Sequence, residues 1–145
     1  MLSRIVSHEK QCAKCQRILP LTAKHWKIRK DHPKRSPFRY CRPCERDYNK
    51  RWANKRHWQH KQNAVNAYGG KCSCCSETEL AFLTFDHMNG GGNAHRRESS
   101  VMRKNPGQWL ERNGYPLGYR VLCFNCHNAI SHGFPCPHIP SRIYF

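Results

Sequence analysis

Along this chain apolar residues fall in short runs separated by polar stretches dense in Lys, Arg and His, and the runs change period from place to place. In residues 18–40, "ILPLTAKHWKIRKDHPKRSPFRY", two strand-like runs flank a basic Asp-His-Pro turn, which predicts a ribbon-like finger. Residues 43–70, "PCERDYNKRWANKRHWQHKQNAVNAYGG", hold no breaker between the opening Pro43 and the stop at Gly69-Gly70. They predict a helix of about 24 residues and about 36 Å. Tyr48 and Trp52 lie four apart, so they share a face of it. Farther on, "ELAFLTF" reads as a strand, "YRVLC" as a second strand, and "HNAISH" as a short helix stopped by Gly133. The connection between the strands carries its own helix, with Asn105 as cap, Pro106 in the first turn, "GQWLER" as body and Gly114 as stop. No internal repeat is visible.

Composition changes this picture by showing how little apolar material these elements share. Leu, Ile, Val and Phe make up 24 of the 145 residues. That is below the roughly 20% at which a highly charged chain ordinarily fails to fold. The ten cysteines supply what is missing, since small domains with thin cores rely on disulfides or metals. "MLSRIVSHEKQCAKC" contains no apolar run of signal-peptide length, which predicts a reducing, intracellular setting (the host cytoplasm if phage-encoded). The cysteines also come in Cys-x-x-Cys pairs, a metal pattern. No stretch nears the roughly 20 apolar residues of a membrane helix, so no membrane partner is expected.

Spacing assigns the ligands. Cys12 and Cys15 with Cys41 and Cys44 form one four-thiolate zinc set, and Cys72 and Cys75 with Cys123 and Cys126 form another. The fold class expected is therefore small α+β and zinc-stabilised. It comprises a four-cysteine finger over 1–44, a basic helix over 45–70 and a zinc-bearing module over 71–145. His25 and His32 read as turn or surface residues, and His57 and His60 as exposed helix residues. Cys74 is spare, while His132, Cys136 and His138 could extend the metal site or bind a third ion but read rather as helix caps and packing groups.

Charge points to the partner. The formal net charge is +17, and residues 1–62 hold 18 Lys/Arg against 4 Asp/Glu. Two four-thiolate zinc ions remove about 4 of that charge, which leaves a protein suited to a polyanion. Arg46, Lys50, Arg51, Lys55 and Arg56 on the long helix are the candidate contacts to DNA phosphates.

One feature is not explained by zinc binding: "FLTFDHMNGGG" puts Asp86-His87 before a glycine run, and "YRVLCFNCHNA" sets His127 directly behind a Cys-x-x-Cys. Neighbouring strand residues point to opposite faces. Asp86 and His87 can serve one site only if the strand ends there, which the glycines permit. With the two strands paired, His127 at the following helix joins them. A carboxylate and an imidazole can hold a divalent cation with open positions, and a neutral histidine beside them can take a proton from water. That chemistry suits phosphodiester cleavage.

Those residues, with "CSCC … DH … LCFNCH", resemble the HNH (His-Me finger, ββα-metal) endonucleases, and most of all their zinc-containing endonuclease VII-like branch common in bacteriophages. "CAKC…LP…CRPCERDYNKRW" is similar to the zinc finger often fused ahead of that nuclease. The resemblance covers roughly residues 10–60 and 70–138. It implies a ββα-metal fold with Asp86 as metal-binding acid, His87 as general base and His127 as second ligand to Mg²⁺ or Mn²⁺. It further implies two structural zinc ions on the two tetrads, and DNA cleaved to 5′-phosphate ends. Many HNH proteins have an asparagine where Gly118 stands, so Asn89, Asn93 and Asn113 become candidates for orienting His87. The resemblance leaves two alternatives open, a Holliday-junction resolvase and a non-catalytic zinc-finger regulator. Assembly as a homo-oligomer or within a larger phage machine also stays open.

Overall fold

The computed structural model describes residues 8–27, 39–134, 136 and 138; His32 and the run around it lie outside the described residues. Two compact units divide at Asn54/Lys55. In the first, strand β1 (Glu9–Gln11) pairs antiparallel with β2 (Ile18–Pro20). The turn between them is the first cysteine knuckle. Gln16 takes a left-handed φ of 60°, and its N–H donates to the Cys12 carbonyl. The core is small: Trp26, Cys12 and Cys41 are fully buried, flanked by Leu19, Tyr40, Cys15 and Cys44. His25 lies in the turn before Trp26, with its N–H on the Thr22 carbonyl.

Helix α1 (Arg42–Ala67) opens directly after Cys41 with Pro43 in its first turn. It therefore starts ahead of the expected boundary, because the second knuckle itself leads into the helix. It stops at Ala67 because Gly69 and Gly70 turn left-handed, with the Gly70 N–H returning to the Val65 carbonyl. Its fully buried residues are Ala64 and Val65 near the C-terminal end, while its first turn packs through Cys44 on the Trp26 core. Tyr48 and Trp52, which share a face of the helix, are about half exposed.

In the second unit, β3 (Leu83–His87) pairs antiparallel with β4 (Tyr119–Cys123), from Leu83 opposite Cys123 to His87 opposite Tyr119. Helix α5 (Phe124–Ser131) follows β4 without a loop and packs on both strands. "ELAFLTF" is strand only in its second half. The Glu79 side chain accepts from the Ala81 N–H and winds Leu80–Phe82 into a 3-10 turn. The connection holds the expected helix, α4 (Pro106–Arg112), and two more ahead of it, α2 (Gly92–Glu98) and α3 (Ser100–Lys104). Ser99 caps α3 and Asn105 caps α4, each by a side-chain oxygen on a backbone N–H. The core gathers Ala64, Val65, Leu83, Phe85, Leu110, Val121 and Leu122 around buried Cys72, Cys123 and Cys126. Among the described residues no helix is long and apolar enough to cross a membrane.

Candidate functional site

The two expected tetrads assemble. The ligand atoms of Cys12, Cys15, Cys41 and Cys44 lie within 4.8 Å of one another, as do those of Cys72, Cys75, Cys123 and Cys126. A tetrahedral zinc with Zn–S near 2.3 Å needs sulfur–sulfur edges of about 3.8 Å. Cys15 and Cys41 are 3.8 Å apart and Cys75 and Cys123 3.6 Å. All ten cysteines are free of disulfides. Backbone N–H groups point at the sulfurs: Cys41 to Cys12, Cys74 to Cys72, Cys126 to Cys123. Such donors favour thiolate, the form that binds metal. Both tetrads can hold structural zinc.

Asp86, His87 and His127 converge on one depression of about 210 Å³, lined also by Gly90, Gly92, Asn93, Arg96 and Ser131. Strand parity explains how adjacent residues share it. Thr84 and Asp86 lie on the sheet face that meets His127 of α5; His87 lies on the other face beside Tyr119. β3 ends at His87, so the two faces meet at that edge.

On the α5 face, Asp86 is 8% exposed. Its Oδ2 accepts from Arg120 Nε at 2.8 Å, and its Oδ1 lies 3.5 Å from His127 Nε2. The Thr84 hydroxyl donates its only proton to the Leu122 carbonyl at 3.1 Å. His127 Nδ1 lies 2.9 Å from the same oxygen, and in the tautomer that donates there Nε2 is left bare. Burial lowers the basicity of His127 more than Asp86 raises it, so the neutral ring prevails. In that tautomer a bare nitrogen and a carboxylate oxygen face each other in a mostly buried position, a donor pair that fits a divalent cation.

On the opposite face, His87 Nε2 lies 3.1 Å from His95 Nδ1, which is also 3.1 Å from the Tyr119 hydroxyl. Trp109 closes the cluster edge-on to His95, with ring centroids 4.4 Å apart. Burial, then the neighbouring His95 and Arg96, lower the pKa of His87 below its ordinary value. With Nε2 engaged, Nδ1 is the nitrogen left toward Gly92, which lines the depression.

Of the asparagines considered as orienting groups, Asn93 accepts from Arg96 and Asn113 donates to the Trp109 carbonyl. Asn89 is exposed. The hydrogen bond of His87 runs instead to His95, a residue that sequence reasoning passed over. Thr84 was legible by parity, two residues before Asp86; His95 was not, because only α2 brings it back over the strand. Arg46, Lys50, Arg51, Lys55 and Arg56 are exposed along α1, with Arg51 engaging Asp47. His60 is not the surface residue expected: its Nδ1 pairs with Glu111, which also accepts from Asn63 at 2.8 Å.

No protein-family model, no curated protein and no solved structure matches this chain.

Proposed function

We propose that this protein is a metal-dependent endonuclease of the HNH kind that hydrolyses DNA phosphodiesters at Asp86, His87 and His127. The observation that carries the reading is His127 Nε2, set 3.5 Å from Asp86 Oδ1 in the depression that His87 also lines. Asp86 and His127 would hold Mg²⁺ or Mn²⁺, which when bound offsets charge on the phosphate and the leaving oxygen. The remaining roles belong to side chains. His87, neutral at physiological pH, accepts the proton of the attacking water at Nδ1 while His95 fixes its ring through Nε2. Arg96 at the rim attracts the phosphate. The exposed basic residues of α1 supply sequence-independent contacts to the DNA backbone.

The test is nicking of supercoiled plasmid with Mg²⁺ or Mn²⁺ by the native protein and by His87→Ala. Zinc content and DNA binding are measured in both. Metal-dependent nicking lost only in the variant supports the reading. Tight DNA binding without cleavage of plasmid or branched DNA, under any divalent ion, overturns it in favour of a binding module.

A further inference from the structure

Among the described residues, three potential ligands outside both tetrads gather beside Cys126: Cys74 in "CSCC", and Cys136 and His138 in "FPCPH". The chain brings them together by a specific turn. Gly133 leaves α5 with a φ of 71°, and the Phe134 N–H returns to the Ala129 carbonyl. The segment beyond therefore runs back toward the helix start. Cys136 ends 1% exposed. Its sulfur lies 3.2 Å from Cys74 and 3.4 Å from Cys126, and His138 Nδ1 lies 3.4 Å from the sulfurs of both Cys126 and Cys136. All four ligand atoms fall within 4.8 Å of one another.

We infer that Cys74, Cys126, Cys136 and His138 bind a third zinc ion, and that the Cys126 thiolate bridges it to the zinc of Cys72, Cys75 and Cys123. The C-terminal unit then carries a dinuclear centre with one shared sulfur. Tetrahedral zinc with three sulfurs and one imidazole has sulfur–sulfur edges of about 3.8 Å and sulfur–nitrogen edges of about 3.5 Å. The observed separations fall within about 0.6 Å of these. The Cys74–Cys136 distance is longer by about 1 Å than a disulfide bond. Bridging also settles the charge. One zinc with four thiolates carries about −2. The second ion brings two further thiolates and a neutral imidazole, so it adds no net charge to a buried cluster. Without an ion, the buried sulfurs of Cys126 and Cys136 would be held only by weak S–H hydrogen bonds to one another, Cys74 and His138. Cys126 precedes His127, so the bridge also pins the turn of α5 that carries His127.

The experiment is native mass spectrometry of the full chain loaded with zinc, with Cys136→Ser and Cys74→Ser compared. Three zinc ions are expected in the native protein and two in each variant, with helical circular dichroism retained. Cadmium-substituted protein should give two resonances coupled to each other through the shared sulfur, and a third uncoupled one. Two zinc ions in the native protein overturn the inference, and so do three retained in both variants. A native mass short by two hydrogens, marking a Cys74–Cys136 disulfide, does the same. If Cys136→Ser does not fold, Cys74→Ser and the cadmium spectrum of the native protein decide. Three bound ions without coupling between any two remove the bridge.

Discussion

Gly92 lies so close to His87 that an ideal Cβ on it would stand 3.0 Å from the ring Nδ1. Gly92 sits in the first turn of α2 without a left-handed φ, so alanine suits its backbone. The only obstacle is the histidine ring, which has to give by a few tenths of an ångström. Gly92→Ala is therefore expected to lower nicking about tenfold, a barrier change of about 1.4 kcal/mol. Zinc content and thermal stability should hold. Undiminished nicking would remove Nδ1 as the reacting nitrogen.

His95 should act as a positioning residue for His87. His95→Ala is expected to reduce kcat about tenfold while KM for plasmid stays near the native value, since no phosphate contact is removed. A rise in KM with kcat unchanged would instead place His95 in DNA binding.

Glu111 links α4 to α1 through Asn63 and His60. The hydrogen bond from Asn63, then that from His60, holds its carboxyl below the ordinary value of 4.5. A carboxyl depressed in the folded state adds stability at pH values above its unfolded pKa. That stability is lost as pH falls through the lowered folded value. Glu111→Gln should lose about 1 kcal/mol at neutral pH, a small value because the side chain is partly exposed. The gap between the two proteins should close as pH falls below the ordinary glutamate value of 4.5 and through the lowered folded one. Guanidinium midpoints across pH measure it; a gap that widens on acidification contradicts the assignment.

Gly107 in α4 crosses α1 so tightly that a Cβ would stand 2.8 Å from both the His60 carbonyl oxygen and the Lys61 nitrogen. Those are backbone atoms and cannot swing away. Helix propensity favours alanine over glycine by up to about 1 kcal/mol, but overpacking costs about 1–3 kcal/mol. Gly107→Ala should thus lower the guanidinium midpoint. A raised midpoint would mean that α4 does not approach α1 this closely.

Lys50 and Lys55 are exposed along α1. Replacing both with Gln should weaken DNA binding alike for all sequences. It should also flatten the dependence of log K on log salt by roughly one unit per lost contact. Fluorescence anisotropy at several salt concentrations reads the slope, and an unchanged slope removes this stretch of α1 from the interface.

The two cysteine tetrads were legible because Cys-x-x-Cys spacing is local: a knuckle turn fixes both sulfurs of a pair within a few residues, whatever the rest of the chain does. The same holds for Gly69-Gly70 ending α1 and for Asn105 capping α4, where one residue's conformation or side chain sets the boundary. The pairing of "FLTF" with "YRVLC" was readable from period and order, and it placed Asp86, His87 and His127 near one another in advance. Tertiary structure alone decided what surrounds them. His95 reaches His87 because a glycine run that reads as loop leads into α2, and Cys136 reaches Cys126 because the chain doubles back after Gly133. Glu111 reaches His60 across 51 residues. Contacts like these depend on where separately stable elements dock, and no local pattern in the amino acids encodes that distance.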